Sequence, residues 1–425
     1  MKANFYLKAL VSLIVFSTFF MANIQAQEHP FAGGKGTSSD PYQIETPEQF
    51  DAIRDYRDKR FILNADLDFA NYMHGEDGVW WPIGEWGSGD NAAERFSGTF
   101  NGNGHTIKNL SVERVAHDLS IFGVTDGAKI TKLIIENCEI IGEGRLGVLT
   151  GACFRTELNE VAVINSKCLN TLSDHGSHAG GITGPSFGST ISNCYSLGGT
   201  VYGKDGVGGI CSGFDSNTTL FNCYSDCSIE GYTSVGGLSG HAHNGAIINC
   251  IALNREILAH ESSFNRLIGG YGGMTLEDNY AKADLTINGN IVDVDLGLTT
   301  ANGENASAEE IVSFDFYKTK LKFDDSVWKM NSDISPYPVF VWQKGNGTGI
   351  SKVENKKYTY SVLGGQLTIR GLEGNEQINV YNTAGTLVSK VVASSTDEVV
   401  RLNNSGIYIV TVNSVSGSSV FKILN

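Results

Sequence analysis

Between residues 105 and 282 one short hydrophobic pattern keeps returning. An apolar residue (Ile107, Ile135, Val163, Ile191, Leu220, Ile247) stands two places before an asparagine. Inward-type residues stand one and three places after it, as in Leu110/Val112, Cys138/Ile140 and Cys250/Ala252. Alternation with a period of two marks a strand with one buried face. The asparagines are Asn109, Asn137, Asn165, Asn193, Asn222, Asn249 and then the pair Asp278/Asn279, at steps of 28, 28, 28, 29, 27 and 29 or 30 residues. A fixed period of this size marks stacked units, not one globular core. Asparagine interrupts the alternation and tolerates the left-handed region, so each is placed at a bend between two short strands. Stacked, they would form a structural ladder in which each amide can bond the next.

A second motif follows in each unit: Leu146-Gly-Val-Leu-Thr-Gly151, Ala179-Gly-Gly-Ile-Thr-Gly184, Val207-Gly-Gly-Ile-Cys-Ser-Gly213, Val235-Gly-Gly-Leu-Ser-Gly240 and Ile268-Gly-Gly-Tyr-Gly-Gly273. Paired glycines before an inward aliphatic suit a strand whose flanks turn sharply or whose backbone is closely approached. Short strands and tight turns in this period predict an all-β fold, with each unit one coil of a parallel β-solenoid. Like positions would then stack ~4.8 Å apart. A helical solenoid fails, because no unit offers a long run with apolar i, i+3, i+4 spacing and the glycine pairs would oppose helix.

The segments Ile191-Ser-Asn-Cys-Tyr-Ser196 and Val235-Gly-Gly-Leu-Ser-Gly240 resemble GLUG-motif repeats, which occur in bacterial surface proteins and beside the catalytic part of IgA-specific metallopeptidases. Trp81-Pro-Ile-Gly84 and Phe96-Ser-Gly-Thr-Phe-Asn-Gly-Asn-Gly-His-Thr-Ile-Lys-Asn-Leu110 resemble the start of such arrays, so the resemblance covers residues 32–343. It implies a right-handed β-helix over residues 101–300 and brings no activity with it. The zinc motif His-Glu-x-x-His is absent.

The ends read differently. Lys2, Lys8 and the apolar run Leu10 to Ala22 make residues 1–26 a secretory signal peptide, cleaved near Ala26. No later stretch is apolar enough for a transmembrane segment in the mature chain. Residues 27–100 read as an N-terminal cap, with a capping box and Pro at N1 in Thr46-Pro47-Glu48-Gln49 ahead of a short helix through Phe50, Ile53 and Tyr56. Phe61 to Phe69 follows as a strand. Residues 301–343 read as the far cap, with a helix over Ala308–Tyr317 and closing strands at Trp328 and Tyr337–Trp342. Residues 344–351 are a linker. Residues 352–425 then alternate as a small antiparallel β-sandwich, with strands at 366–369, 377–381, 387–392, 399–402, 407–412 and 419–423. Val380-Tyr-Asn-Thr-Ala-Gly-Thr-Leu-Val388 and Gly406-Ile-Tyr-Ile-Val-Thr-Val412 resemble the sorting domain of type IX secretion substrates. That resemblance implies a Bacteroidetes-type bacterium, type IX secretion machinery as a partner, and delivery to the cell surface or outside. The tail departs from the pattern, with one Lys in Val420-Phe-Lys-Ile-Leu-Asn425.

The net charge is −15, and loss of Lys2 and Lys8 with the signal makes it −17. Such a chain repels phosphate backbones and is not expected to bind nucleic acid. The eight cysteines read as buried thiols, because Cys194, Cys223 and Cys250 share one repeat position, with Cys138 placed in the same row. No Cys-x-x-Cys pair exists, and no metal or other cofactor is expected. His175/His178 and His241/His243 read as solvated turn residues with metal binding as the alternative, and Asp205, Asp215 and Glu230 as turn carboxylates with calcium as theirs. Two places after each asparagine comes an outward position holding Ser111, Glu139, Lys167, Tyr195, Tyr224, Ile251 and Tyr280. Exposed stacked tyrosines can lie against sugar rings, so Tyr195, Tyr224 and Tyr280 are the candidate ligand-binding residues. No catalytic residue stands out, because these rows hold no carboxylate or basic pair at matching positions in neighbouring coils. The expectation is a non-catalytic surface or secreted β-helix binding a glycan or a protein. A polysaccharide-active enzyme and a structural spacer are the alternatives.

Overall fold

A computed structural model describes residues 29–75, 78–86, 91–171, 176–344, 359–363, 366–382, 386–402, 407–414 and 417–424. The signal segment and linker residues 345–351 lie outside them. The chain divides into two units, 1–343 and 344–425.

The first unit is a parallel β-solenoid. One coil runs from a long face (Glu157–Ile164) to a second face (Lys167–Asn170), a third (His178–Gly180) and a fourth (Thr183–Phe187). Each strand pairs in parallel with its counterpart one coil away. The inner row is apolar and dry: Ile130, Leu158, Ile191, Leu220 and Ile247 are all fully buried.

The asparagine row is two rows. Asn109, Asn137 and Asn165 stack at one corner, and Gly198 continues them. Asn193, Asn222, Asn249 and Asp278 stand at a different bend, five residues earlier in the coil, above Lys132 and Glu160. Every member of both rows has φ between 49° and 64°, as the expected left-handed bends require. The pairing steps explain the disguise. Asn170 aligns with Gly142, a step of 28, but His178 aligns with Arg145, a step of 33. Five extra residues therefore enter between Asn170 and His178, and five is also the separation of the two bends. The asparagine spacing stays at 28 while the coil lengthens to 33. Within the row, one amide bonds the next, Asn222 Nδ2 to Asn193 Oδ1 at 3.4 Å. The bends are closed mainly by backbone, as in Asn193 N to Phe221 O at 2.9 Å.

This split moves Cys138. It stacks with Ser166, whose hydroxyl accepts from Cys138 N at 3.0 Å, while Cys194, Cys223 and Cys250 line the other bend. All eight cysteines are buried free thiols. Asn279 takes the next inner place and ends the row, accepting from Cys250 N at 3.0 Å and donating to Ile247 O at 2.7 Å.

The glycine motif joins the third and fourth faces, which approach backbone to backbone. A Cβ on Gly208 would lie 2.3 Å from Cys211 O and 2.7 Å from Gly240 N. Only glycine fits there.

At the start of the solenoid, helix Pro47–Asp51 is capped by Thr46, whose hydroxyl accepts from Gln49 N at 3.3 Å; the Gln49 amide reaches Glu45 N instead of the cap residue. Phe50 and Ile53 are fully buried. The expected strand from Phe61 breaks into Arg60–Leu63 and Leu67–Asp68, which join the long face next to its first strand, Tyr42–Ile44.

Residues 306–343 differ most from expectation. The helix is Phe314–Thr319, not Ala308–Tyr317, because Ser307 and Glu310 cap a single turn that does not propagate. A hairpin of Trp328–Asn331 and Ser335–Phe340 follows. These elements do not simply close the end. They run back along the outside of the long face as a strap, where Trp342 Nε1 donates to Glu160.

The second unit has a three-stranded antiparallel sheet (359–363, 366–370, 397–401) and a four-stranded one (387–392, 377–382, 407–414, 417–424). Leu367, Ile369, Ile378, Val380, Val410 and Val412 form its buried core. Strand Thr359–Leu363 has no counterpart among the expected strands.

Candidate ligand-binding cleft

The tyrosine face is not exposed. Tyr195 and Tyr224 are fully buried and Tyr280 retains 7% of its surface, because the strap covers them. Their rings stack at 4.9 Å and 5°, and Trp328 lies 6.1 Å and 6.0 Å from them. Tyr195 donates to Gln343 Oε1 and Tyr224 to the Pro338 carbonyl, each at 2.6 Å. Burial pushes both hydroxyls well above their ordinary pKa. These tyrosines are packing residues. Ser111, Glu139 and Lys167 belong to the second face, where Lys167 pairs with Glu139 at 2.8 Å.

An aromatic cleft lies instead beside the first coils. Ile83 and Phe96 bridge Phe122 and Thr125 and form the outermost rung of the fourth face. Trp80 turns inward, fully packed against Phe50 and Phe69. Its neighbours Trp81 and Trp86 are left half-buried on the outside. They border a cavity of about 360 Å³, together with Pro82, Glu85, Glu94, His117 and Asp118. Each ring is braced by cations: Arg145 lies 3.9 Å and Arg95 5.2 Å from the Trp86 centroid, and Arg114 5.2 Å from that of Trp81. Arg145 is itself held by both Asp118 oxygens at 2.6 Å and 2.8 Å, and Trp81 Nε1 donates to Glu85 at 2.8 Å. Cation–π contact and ion pairing thus fix two indoles beside carboxylate acceptors, an arrangement that can stack a ring and bond its hydroxyls. Trp81-Pro-Ile-Gly84 carried part of this signal in the sequence, but only as the start of the repeat array, and Trp86 was not singled out.

A second cavity, about 450 Å³, lies on the second face and is lined by Asp226, Glu230, Arg255 and Glu256. Burial raises Asp226 to about 7, against the pull of Lys282. The turn carboxylates for which calcium was the alternative do not converge. Asp205 accepts from Thr233 at 2.9 Å, Asp215 from Asn244 at 3.4 Å, and Glu230 from His260 at 3.0 Å. Among the described residues no set of three or more His, Cys, Asp or Glu side chains is arranged to hold a metal. His178 and His241 are not turn residues: His178 begins a third-face strand and His241 sits mid-strand on the fourth, their rings 5.4 Å apart. His243 is exposed, and His175 lies outside the described residues.

With the coils and cleft in view, comparison with known proteins places the fold. The crystal structure of a "putative immunoglobulin A1 protease from Bacteroides ovatus" superposes with a TM-score of 0.58, covering 74% of this chain and 96% of that one at 23% identity. The shared fold is a parallel β-solenoid. No family model matches the chain. A "Putative Gly-rich membrane protein" of Evansella cellulosilytica is 34% identical over 154 residues, and Halomucin of Haloquadratum walsbyi is 31% identical over 146. These matches cover 34% and 32% of this chain, and only 17% and 2% of the relatives. Among the described residues no helix is long and apolar enough to cross a membrane.

Proposed function

We propose that the protein is an exported, surface-displayed or secreted β-solenoid that binds a glycan in the Trp81/Trp86 cleft. The carrying observation is the pair of braced indoles beside Glu85, Glu94 and Asp118 in one cavity. Supporting the location are the signal-like first 26 residues and the likeness of about a third of the chain to a Gly-rich membrane protein and Halomucin. GLUG-type repeats fit the glycine motif, and the antiparallel second unit fits a type IX sorting domain. Delivery by that machinery, from a Bacteroidetes-type cell, completes the reading. The test is a glycan array probed with the mature chain and with Trp81→Ala and Trp86→Ala variants. Signal lost in both variants supports the cleft, and unchanged signal refutes it.

A second reading, polysaccharide cleavage, rests on Asp226. A carboxyl titrating near neutrality beside Glu230 and Glu256 resembles the split acid and base of glycan-cleaving sites. Product release from polysaccharides that stops in Asp226→Asn would establish it, whereas none from the unaltered chain would remove it.

A further inference from the structure

His178 and His241 lie on coils two apart and meet across the coil between them. The meeting point is Gly206 of that middle coil, whose φ is +64°. An atom at its vacant Cβ position would lie 2.7 Å from His178 Nδ1, 2.9 Å from His241 Nδ1 and 3.1 Å from the Ser212 carbonyl. Gly213 makes equal room beneath His241, since a Cβ there would lie 2.5 Å from its Cε1. Two glycines thus let two imidazoles pack against backbone, with both Nδ1 atoms within 3 Å of one point beside the Gly206 Cα. His178 Nδ1 is buried and has no hydrogen-bond partner. Such an orphaned nitrogen calls for an explanation.

We propose that His178 and His241 bind a borderline divalent transition-metal ion, of the zinc or copper class, in the notch beside Gly206. Imidazole nitrogens select this class over calcium or magnesium. Both rings are primed as ligands. Burial lowers the pKa of His178, against the pull of Asp205, and burial with His178 alongside lowers His241 to about 4. Asp205 acts electrostatically on both rings and offsets the charge of an incoming cation. The two nitrogens supply half of a tetrahedral shell, and solvent or the Ser212 carbonyl supplies the rest. The surface calcium sites considered for the turns would use none of these atoms.

The experiment titrates the full mature chain with Cu²⁺ and Zn²⁺ at pH 7, reading stoichiometry by calorimetry and the Cu²⁺ ligand set by electron paramagnetic resonance. The expected result is one ion per chain, with coupling to two nitrogens. His178→Ala and His241→Ala should each weaken binding at least about tenfold and remove one nitrogen. His243→Ala and His260→Ala should leave both readouts unchanged. His241→Gln, which keeps most of the ring's volume, repeats the test should the alanine variant unfold. Weak binding at several sites, or one-ion binding insensitive to His178 and His241, overturns the proposal.

Discussion

The strap over the long face makes a strong demand on one residue. Trp328 is 1% exposed and packs within 4.8–6.1 Å of Phe323, Phe340, Tyr224 and Tyr195. Its Nε1 donates to Asn193 Oδ1 at 3.2 Å, tying the strap to a bend of the solenoid. Truncating a buried Trp to Ala costs about 3–5 kcal/mol, and the lost hydrogen bond lies within that range. In a solenoid, whose coils contact only near neighbours, such a loss is felt locally before it unfolds the stack. With about 1.4 kcal/mol per decade, Trp328→Ala should raise the opening equilibrium of the strap roughly a thousandfold. Hydrogen exchange is the assay: amides of Trp328–Asn331 and Ser335–Phe340 should exchange about three decades faster, while coils near residue 107 keep their protection. Tyr271→Ala, at a residue 53% exposed, is the control and should change little. Acceleration of the strap by less than about tenfold would refute the packing described here.

Other expectations follow from single environments. Burial pushes Cys138, Cys168 and Cys211 up to about 12, so at pH 8 these thiols are thiolate in roughly one molecule in ten thousand. Because all eight thiols are buried, Cys223 included, Ellman's reagent should find no fast-reacting cysteine in the native chain and eight in denaturant. Gly208→Ala puts a Cβ against Cys211 O and Gly240 N and should cost at least about 1–3 kcal/mol in urea melts. At Asn222, with φ of 51°, alanine should destabilise by about 1 kcal/mol while glycine stays near neutral. In the second unit, burial pushes the Glu376 carboxyl up, but the Glu373, Asn375 and Gly374 amides outweigh it and hold the group down at about 2. A depressed folded pKa stabilises above the unfolded value, about 4.3, so that stability should fade as pH drops toward 2. Glu376→Gln should flatten that acid dependence in thermal melts.

The solenoid was readable because its causes are local and repeated: alternation for strands, left-handed asparagines for bends, glycines for close backbone approach. The Thr46 cap with Pro47 at N1 was legible for the same reason, although the reciprocal Gln49 bond goes to Glu45 N. Two errors came from non-local causes. The step from Asn165 to Asn193 matched its neighbours only because a five-residue insertion equalled the distance between two bends, which sequence spacing alone does not separate. Tyr195 and Tyr224 occupy outward positions of a strand, as alternation predicts, and are buried only because a segment more than a hundred residues later folds over them. The Trp81/Trp86 cleft was missed because its walls come from separate stretches, residues 81–86, Glu94 and residues 117–119, joined by the pairing of Ile83 and Phe96 with the fourth face.

The most direct test of the central claim is calorimetric titration of an array-selected glycan into the mature chain and its Trp86→Ala and Tyr195→Phe variants. The account predicts binding at least about tenfold weaker in Trp86→Ala, a loss of about 1.4 kcal/mol, with Tyr195→Phe unchanged. Undiminished binding in Trp86→Ala would contradict it.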